Sequence, residues 1–160
     1  MPVSIDNLIA AEQLPASYAA IVDRWWRPLA QQIAQWHSLA GRTLIVGING
    51  AQGSGKSTLC RFLCASLLPE HGVSAAVVSL DDLYLPLAAR ERIAQDIHPL
   101  FRTRGVPGTH DVDAGIALLD DMAAGREALI PRFSKALDDR ILPLLTKQFS
   151  MLSMLTNMAL

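Results

Sequence analysis

Two cysteines, Cys60 and Cys64, are all that this 160-residue chain carries, so a disulfide framework is excluded. They fall about one helical turn apart in a segment that reads as helix. That spacing predicts two small core or half-buried thiols; metal binding is the weaker alternative, since no further Cys or clustered His completes a set. Charge of one sign is also lacking. The net charge is −1 and acids and bases are interspersed, which gives no ground for a nucleic-acid or anionic-membrane partner. The N-terminus has neither a basic region nor a long apolar core, so it is not a secretory signal. There is no internal repeat and no low-complexity tract. No uninterrupted run spans a bilayer: the apolar stretch 141–160 is broken by Pro143, Lys147, Gln148 and Asn157. Reduced cysteines, together with the phosphate-binding loop described below, point to the cytoplasm.

What is present is apolar. Residues of that kind make up 51% of the chain, enough for one domain with a buried parallel sheet between helices. The organising feature is Gly50-Ala-Gln-Gly-Ser-Gly-Lys-Ser57, which fits the phosphate-binding pattern G-x-x-x-x-G-K-[ST]. Thr43–Ile48 before it reads as a buried strand, and Ser57–Leu68 after it as a helix, the order that the motif requires. Gly50, Gly53 and Gly55 free the backbone so that successive N–H groups form one concave nest for phosphates. Ala51, Gln52, Ser54 and Thr58 complete the cradle, and the helix N-terminus adds the positive end of its dipole. Lys56 is expected on the β- and γ-phosphates and Ser57 on Mg²⁺, so the pattern calls for ATP with Mg²⁺ as ligands. A P-loop switch of the GTPase type is disfavoured, because neither D-x-x-G nor N-K-x-D occurs in the chain.

Along the rest of the chain, Ala16–Leu39 predicts a long helix that Pro28 bends or breaks, with Trp25 and Trp26 packing it against the sheet. Val73–Leu80 predicts the second strand. A short helix over 87–96, an ordered loop over 98–110, a helix capped by Asp111 and ended by Gly125, and a strand over 127–133 follow. Residues 141–160, compatible with a helix, form a compositional break and an atypical apolar tail behind a domain at 1–140, whose nucleotide-binding core is 43–140.

Ligands of open α/β sheets gather at the carboxyl ends of the strands. Asp81 and Asp82 follow the second strand, where a carboxylate could accept the proton of an attacking hydroxyl or hold a metal-bound water. The bland alternative is a helix cap beside a solvated acid. Arg102, Arg104, His110, Asp111, Arg132 and Arg140 are candidates for holding an anionic acceptor, since a guanidinium matches carboxylate or phosphate bidentately.

Four segments together resemble the D-glycerate 3-kinase-like branch of the P-loop kinases, the group that includes uridine kinase, phosphoribulokinase and pantothenate kinase. They are Gly47–Thr58, Ser79-Leu-Asp-Asp-Leu-Tyr84, Arg104-Gly-Val-Pro-Gly-Thr-His-Asp111 and Ile130-Pro-Arg-Phe-Ser-Lys-Ala-Leu-Asp-Asp-Arg140. The resemblance implies a P-loop NTPase fold, a mainly parallel sheet flanked by helices and incomplete at its C-terminus. It implies ATP-dependent phosphorylation of a hydroxyl on a small molecule, D-glycerate or a similar hydroxy acid. Lys56 and Ser57 keep their P-loop roles, and Asp81 matches the catalytic base and a metal-side group, with Asp82 as second choice. Tyr84, Arg104, His110, Asp111, Arg132 and Arg140 match acceptor-side positions. Leu83 and Ser134 depart from the pattern, Ser134 standing where the family usually has aspartate. The acidic strand and lid that such kinases carry further on are not visible after Arg140. The alternative expectation is therefore an ATP-binding remnant without turnover, its tail the product of truncation or a frame shift.

Overall fold

A computed structural model of the protein describes residues 2–146 and 151–156. The chain divides into two compact units, residues 1–77 with 149–160, and residues 78–148.

The first unit opens with α1 (Ile5–Ala11), capped by the Ser4 hydroxyl, which accepts the Asn7 N–H. The predicted long helix is present, in three pieces. α2 (Tyr18–Ile21) runs through a π-helical turn, Val22–Trp26, into α3 (Arg27–Ala40). The wide turn stands directly ahead of Pro28, whose ring lacks an N–H and would clash with a regular preceding turn. Gly41, at φ 60°, ends α3 in the left-handed conformation. The two tryptophans do not share the packing role expected of both. Trp26 sits edge-on between Tyr18 and Phe62, whereas Trp25 is 61% exposed with the Arg24 guanidinium over its ring. Adjacent helical residues diverge by about 100°, so only one can face the core.

β1 (Leu44–Asn49) leads through the glycine loop into α4 (Lys56–Phe62), which continues as a π-turn over Leu63–Leu67. The chain closes this segment with a 3₁₀ turn at Pro69–His71 and Gly72 at φ 72°. Cys60 is buried and Cys64 half-buried, neither of them in a disulfide, as their spacing predicts. β2 (Ala75–Ser79) follows. The core of this unit is built from Leu8, Ile9, Val22, Ile33, Phe62 and Leu67, all buried, with Leu44, Val46 and Ile48 of β1 packed against it.

In the second unit a 3₁₀ turn, Leu80–Leu83, leads to α5 (Leu87–Asp96), a further turn at Pro99–Arg102, and α6 (Val112–Ala123). β3 (Ala128–Ser134) and β4 (Asp139–Thr146) form an antiparallel hairpin whose register shifts between Ile130 and Arg132. Pro131 lies at that shift, where its missing N–H costs no ladder bond. α6 packs close: a Cβ on Gly115 would meet Leu83 Cδ1 at 3.0 Å.

The apolar tail is where the structure departs from the sequence reading. Its described part is strand, not helix. β4 runs straight across the Arg140–Ile141 junction, and β5 (Met151–Thr156) pairs in parallel with β1, Leu44 opposite Met151 and Asn49 opposite Thr156. β5 lies between β1 and β2 in the sheet order. Its Met-Leu-Ser-Met-Leu-Thr pattern, two apolar residues to each polar one, fits neither period cleanly, and pairing with β1 decides the matter. Lys147, Gln148 and Asn157, which interrupt the apolar stretch, lie outside the described residues. Among the described residues no helix is long and apolar enough to cross a membrane.

Phe62 has no exposed surface and carries the edge contact with Trp26. Replacing Phe62 with Ala should lower the unfolding free energy by about 3–5 kcal/mol, read from urea denaturation followed by tryptophan fluorescence.

Candidate active site

The glycine loop of the first unit has the form that phosphate binding requires. Gly53 and Gly55 sit at φ 75° and 83°, a region closed to most side chains. Gly50 is needed for a different reason: a Cβ there would lie 3.0 Å from the Ser54 hydroxyl. The Lys56 ammonium arches over the loop and donates to the carbonyls of Gly50 and Ala51, 2.7 Å each. It is buried on a compact platform of backbone, so an arriving phosphate exchanges with neutral carbonyls rather than with a competing carboxylate. Ser57 stands one residue further, in the first turn of α4, with Thr58 beside it. Among the described residues no group of three or more His, Cys, Asp or Glu could hold a metal. The Ser57 hydroxyl is a hard oxygen of the kind that Mg²⁺ takes as ligand.

The second unit assembles the remaining candidates around the turn after β2. The Ser79 hydroxyl accepts the Asp81 N–H at 3.2 Å and fixes the turn. The two adjacent carboxylates then have different fates. Asp82 is buried, accepts the Phe133 N–H at 3.1 Å and pairs with Arg132 at 2.7 Å. It clamps β3 to the turn. Asp81 pairs with the exposed Lys135 ammonium at 2.8 Å. Lys135 is a site residue that the sequence did not single out; its only signal is its place within the Ile130–Arg140 segment.

The Arg104–Asp111 segment is legible residue by residue. Gly105 and Gly108 stand at φ 93° and 92°, and a Cβ on Gly108 would meet the Phe101 ring at 3.1 Å. Thr109 is fully buried, its hydroxyl donating to the Val106 carbonyl. Backbone bonds from Leu85 N–H to Thr109 and from Asp111 N–H to Leu83 join the segment to the Leu80–Leu85 stretch. His110 thereby stacks on Tyr84, ring centres 4.2 Å apart, with Phe133 edge-on to the other side of the tyrosine arrangement at 5.4 Å. Burial pushes the Tyr84 hydroxyl above its ordinary value, the Asp81 charge adding to the effect, so it remains a donor. Burial holds His110 below its ordinary value and outweighs the opposing Asp81 charge.

Asp111 and Arg140 are engaged with each other. Asp111 caps α6 by accepting the Ala114 N–H and pairs with Arg140 at 2.8 Å, while Arg140 also donates to the Tyr84 carbonyl. Asp111 and Arg140 thus frame the Tyr84–His110 wall, while Arg132 is held by Asp82. Ser134, where an aspartate was expected, accepts the Leu137 N–H at 3.2 Å and shapes the hairpin turn, a task open to either side chain.

Arg90 is the other residue that sequence reading missed. Its guanidinium has no exposed surface. It donates to the carbonyls of Leu85, Arg102 and Asp138 and pairs with the Asp138 carboxylate at 3.1 Å.

These features find parallels. The family model for the methylmalonyl Co-A mutase-associated GTPase MeaB matches residues 25–83, less than half of the chain. The "uncharacterized kinase mug58" of Schizosaccharomyces pombe is 40% identical over 100 residues, which is 60% of this chain and 36% of that protein. The solved structure of the YGR205w protein superposes with a TM-score of 0.68 at 22% identity, covering 86% of this chain and 51% of that one. D-glycerate 3-kinase from Cryptococcus neoformans var. grubii superposes at 0.63 with 25% identity, covering 79% and 52%. The chain is P-loop kinase-like in fold and in sequence. This kinase-like chain spans about a third of the curated relative's length and about half of each of these two solved chains. The GTPase match ends at Leu83, before the Arg104–Asp111 and Ile130–Arg140 segments. It therefore reports the loop-and-strand unit that P-loop proteins share.

Two outcomes check this geometry. Substituting Arg90 by Met keeps the bulk and removes the donors, leaving three carbonyls without that donor and Asp138 with Arg104 as its remaining ion-pair partner. It should cost about 3 kcal/mol or more in urea denaturation. His110 should titrate below its ordinary value of 6.5 in a histidine-resolved NMR experiment. Since the unfolded state then binds the proton more readily, the His110 contribution to stability is intact above that value and falls as pH drops through the lower folded one. The His110→Gln variant should lose that part of the pH dependence.

Proposed function

We propose that the chain catalyses transfer of the γ-phosphoryl group of ATP to a hydroxyl of a small molecule, a short hydroxy acid such as D-glycerate. The observation that carries this reading is the Asp81 carboxylate, fixed at the end of β2 by Ser79 and charge-balanced by an exposed lysine. Asp82 beside it is already spent on Arg132 and Phe133. Asp81 is thus the acid of the pair that can serve an acceptor.

In this reading the P-loop amides and Lys56 hold the triphosphate, and Ser57 holds Mg²⁺, which neutralises charge on the transferring group. The acceptor oxygen attacks the γ-phosphorus, the bond to the β–γ bridging oxygen breaks, and ADP leaves. The hydroxyl proton passes to Asp81. Tyr84 and His110 supply the acceptor wall, and Arg104, Arg132 and Arg140, with Asp111, the charged frame around it. The likeness to a D-glycerate 3-kinase supports the choice of acceptor. Two cysteines outside any disulfide agree with a reducing compartment, and we take that to be the cytoplasm.

A second reading, nucleotide binding without turnover, draws on β5. The strand beside β1 has the sequence Met-Leu-Ser-Met-Leu-Thr and brings no carboxylate to the metal side. Titration with ATP followed by a single-turnover assay against glycerate, uridine and pantothenate separates the two. Turnover with glycerate alone supports the first reading, and tight ATP binding without product supports the second. Lys56→Ala should weaken ATP binding at least tenfold with little change in melting temperature. Asp81→Asn should keep ATP affinity within about twofold and lower turnover at least a hundredfold, the span expected of a general base. Full activity in Asp81→Asn would defeat the assignment.

A further inference from the structure

The second unit holds a cleft of about 610 Å³ lined by Arg102, Thr103, Arg104, Lys135 and Asp138. Three cations face one carboxylate there. Each cation has an ion-pair partner, Arg102 with Glu91 at 3.2 Å, Arg104 with Asp138 at 2.6 Å and Lys135 with Asp81 at 2.8 Å. None is used up by it. A guanidinium carries five N–H donors and an ammonium three. Arg102 and Lys135 are 70% and 62% exposed. Exposed pairs of this kind are worth little and exchange readily for a better anion.

The walls of the cleft are fixed. Arg90 donates to the main chain of Arg102 on one side and of Asp138 on the other. Arg104 crosses from the first wall to the second, donating to the Lys135 carbonyl at 3.2 Å and to Asp138. Its guanidinium also lies over the Phe133 ring at 5.7 Å, which orients its plane. A cationic cleft held open by a buried guanidinium is preorganised, so a ligand spends little on ordering it. Lys135 stands at its end and touches Asp81, so a group bound by Lys135 lies only a few bonds from whatever Asp81 contacts.

We infer that this cleft is a subsite for a small anionic group, a carboxylate or a phosphate monoester, on the acceptor. Lys135, Arg104 and Arg102 are the residues that select it. The inference rests on the phosphoryl-transfer reading for the word acceptor, and it narrows that reading. The hydroxyl to be phosphorylated stands close along the chain to the negative charge, which disfavours nucleosides and other acceptors whose reactive hydroxyl is remote from an anion.

The test is binding, measured apart from turnover. The full chain, without nucleotide, is titrated calorimetrically with D-glycerate, glycerol and glycerol 3-phosphate. At least one of the two anions should bind at least tenfold more tightly than neutral glycerol, and the tighter of the two identifies the anion. Lys135→Gln and Arg102→Gln should each weaken that binding at least tenfold, Lys135→Arg should restore most of it, and Lys56→Ala should leave it unchanged. Melting curves of the variants check folding, which these two exposed positions should not disturb. Glycerol binding as tightly as both anions, anion binding unmoved by Lys135→Gln and Arg102→Gln, or anion binding lost in Lys56→Ala would each overturn the inference. Anion binding without turnover supports the subsite and defeats the kinase reading. Turnover of neutral acceptors as efficient as that of anionic ones keeps the kinase reading and defeats the subsite.

Discussion

A guanidinium without exposed surface has to recover, through its partners, the several kcal/mol lost when it leaves water. Arg90 does so with three main-chain carbonyls and one carboxylate, and those partners come from α5's own approach, from the turn at Pro99–Arg102 and from the β3–β4 hairpin. Asp138 offers both its carbonyl and its carboxylate, standing at φ 52°. Aspartate is among the few residues that tolerate that conformation. Its neighbour Asp139 returns the favour to α5 by accepting the N–H of Leu87, where Pro86 provides no cap, and of Arg140. Those two bonds hold its carboxyl below the usual range. The Pro99–Arg102 turn, the β3–β4 hairpin and α5 therefore specify one another, and Arg102 and Asp138 take their positions from that lock.

The same unit shows how neighbouring carboxylates acquire different chemistry. Successive residues of a 3₁₀ turn point about 120° apart. Asp82 is thereby turned inward to Arg132 and the Phe133 amide, and Asp81 outward to Lys135. A buried carboxylate with a paired guanidinium and a backbone donor is committed to structure. A carboxylate paired with an exposed lysine is held less tightly than that, which is what the proposed reading asks of Asp81.

Much of the first unit was legible because its signals are local. The glycine loop, the strand ahead of it and the helix behind it follow from residues within one short segment, and the φ values of Gly53 and Gly55 bear out the reason for glycine there. α5 over Leu87–Asp96 and the Asp111 cap of α6 were likewise legible. Arg90 and Lys135 were not, since each acts across 45 or more positions of sequence, Arg90 on Asp138 and Lys135 on Asp81. Nothing in a helical arginine or a turn lysine announces a partner so distant. The tail failed for a related reason. Two apolar residues to each polar one match neither the helical nor the strand period cleanly, and the pairing of Met151–Thr156 with β1 is a non-local event.

That division also bears on the match to a GTPase family beside the likeness to kinases. A loop with two left-handed glycines and a lysine folded over its carbonyls asks little of the remaining sequence. Proteins of different chemistry can share it, and the match of residues 25–83 to a GTPase family is no more than that sharing. Choice of acceptor needs side chains set at fixed angles to one another, which a single loop cannot provide. In this chain the side chains we assign to that choice lie in 78–148, on a frame of buried arginine, capped helix and hairpin turn. Under the proposed reading, substitutions among them would change the acceptor and leave the sequence of the glycine loop as it is, so the two could vary independently.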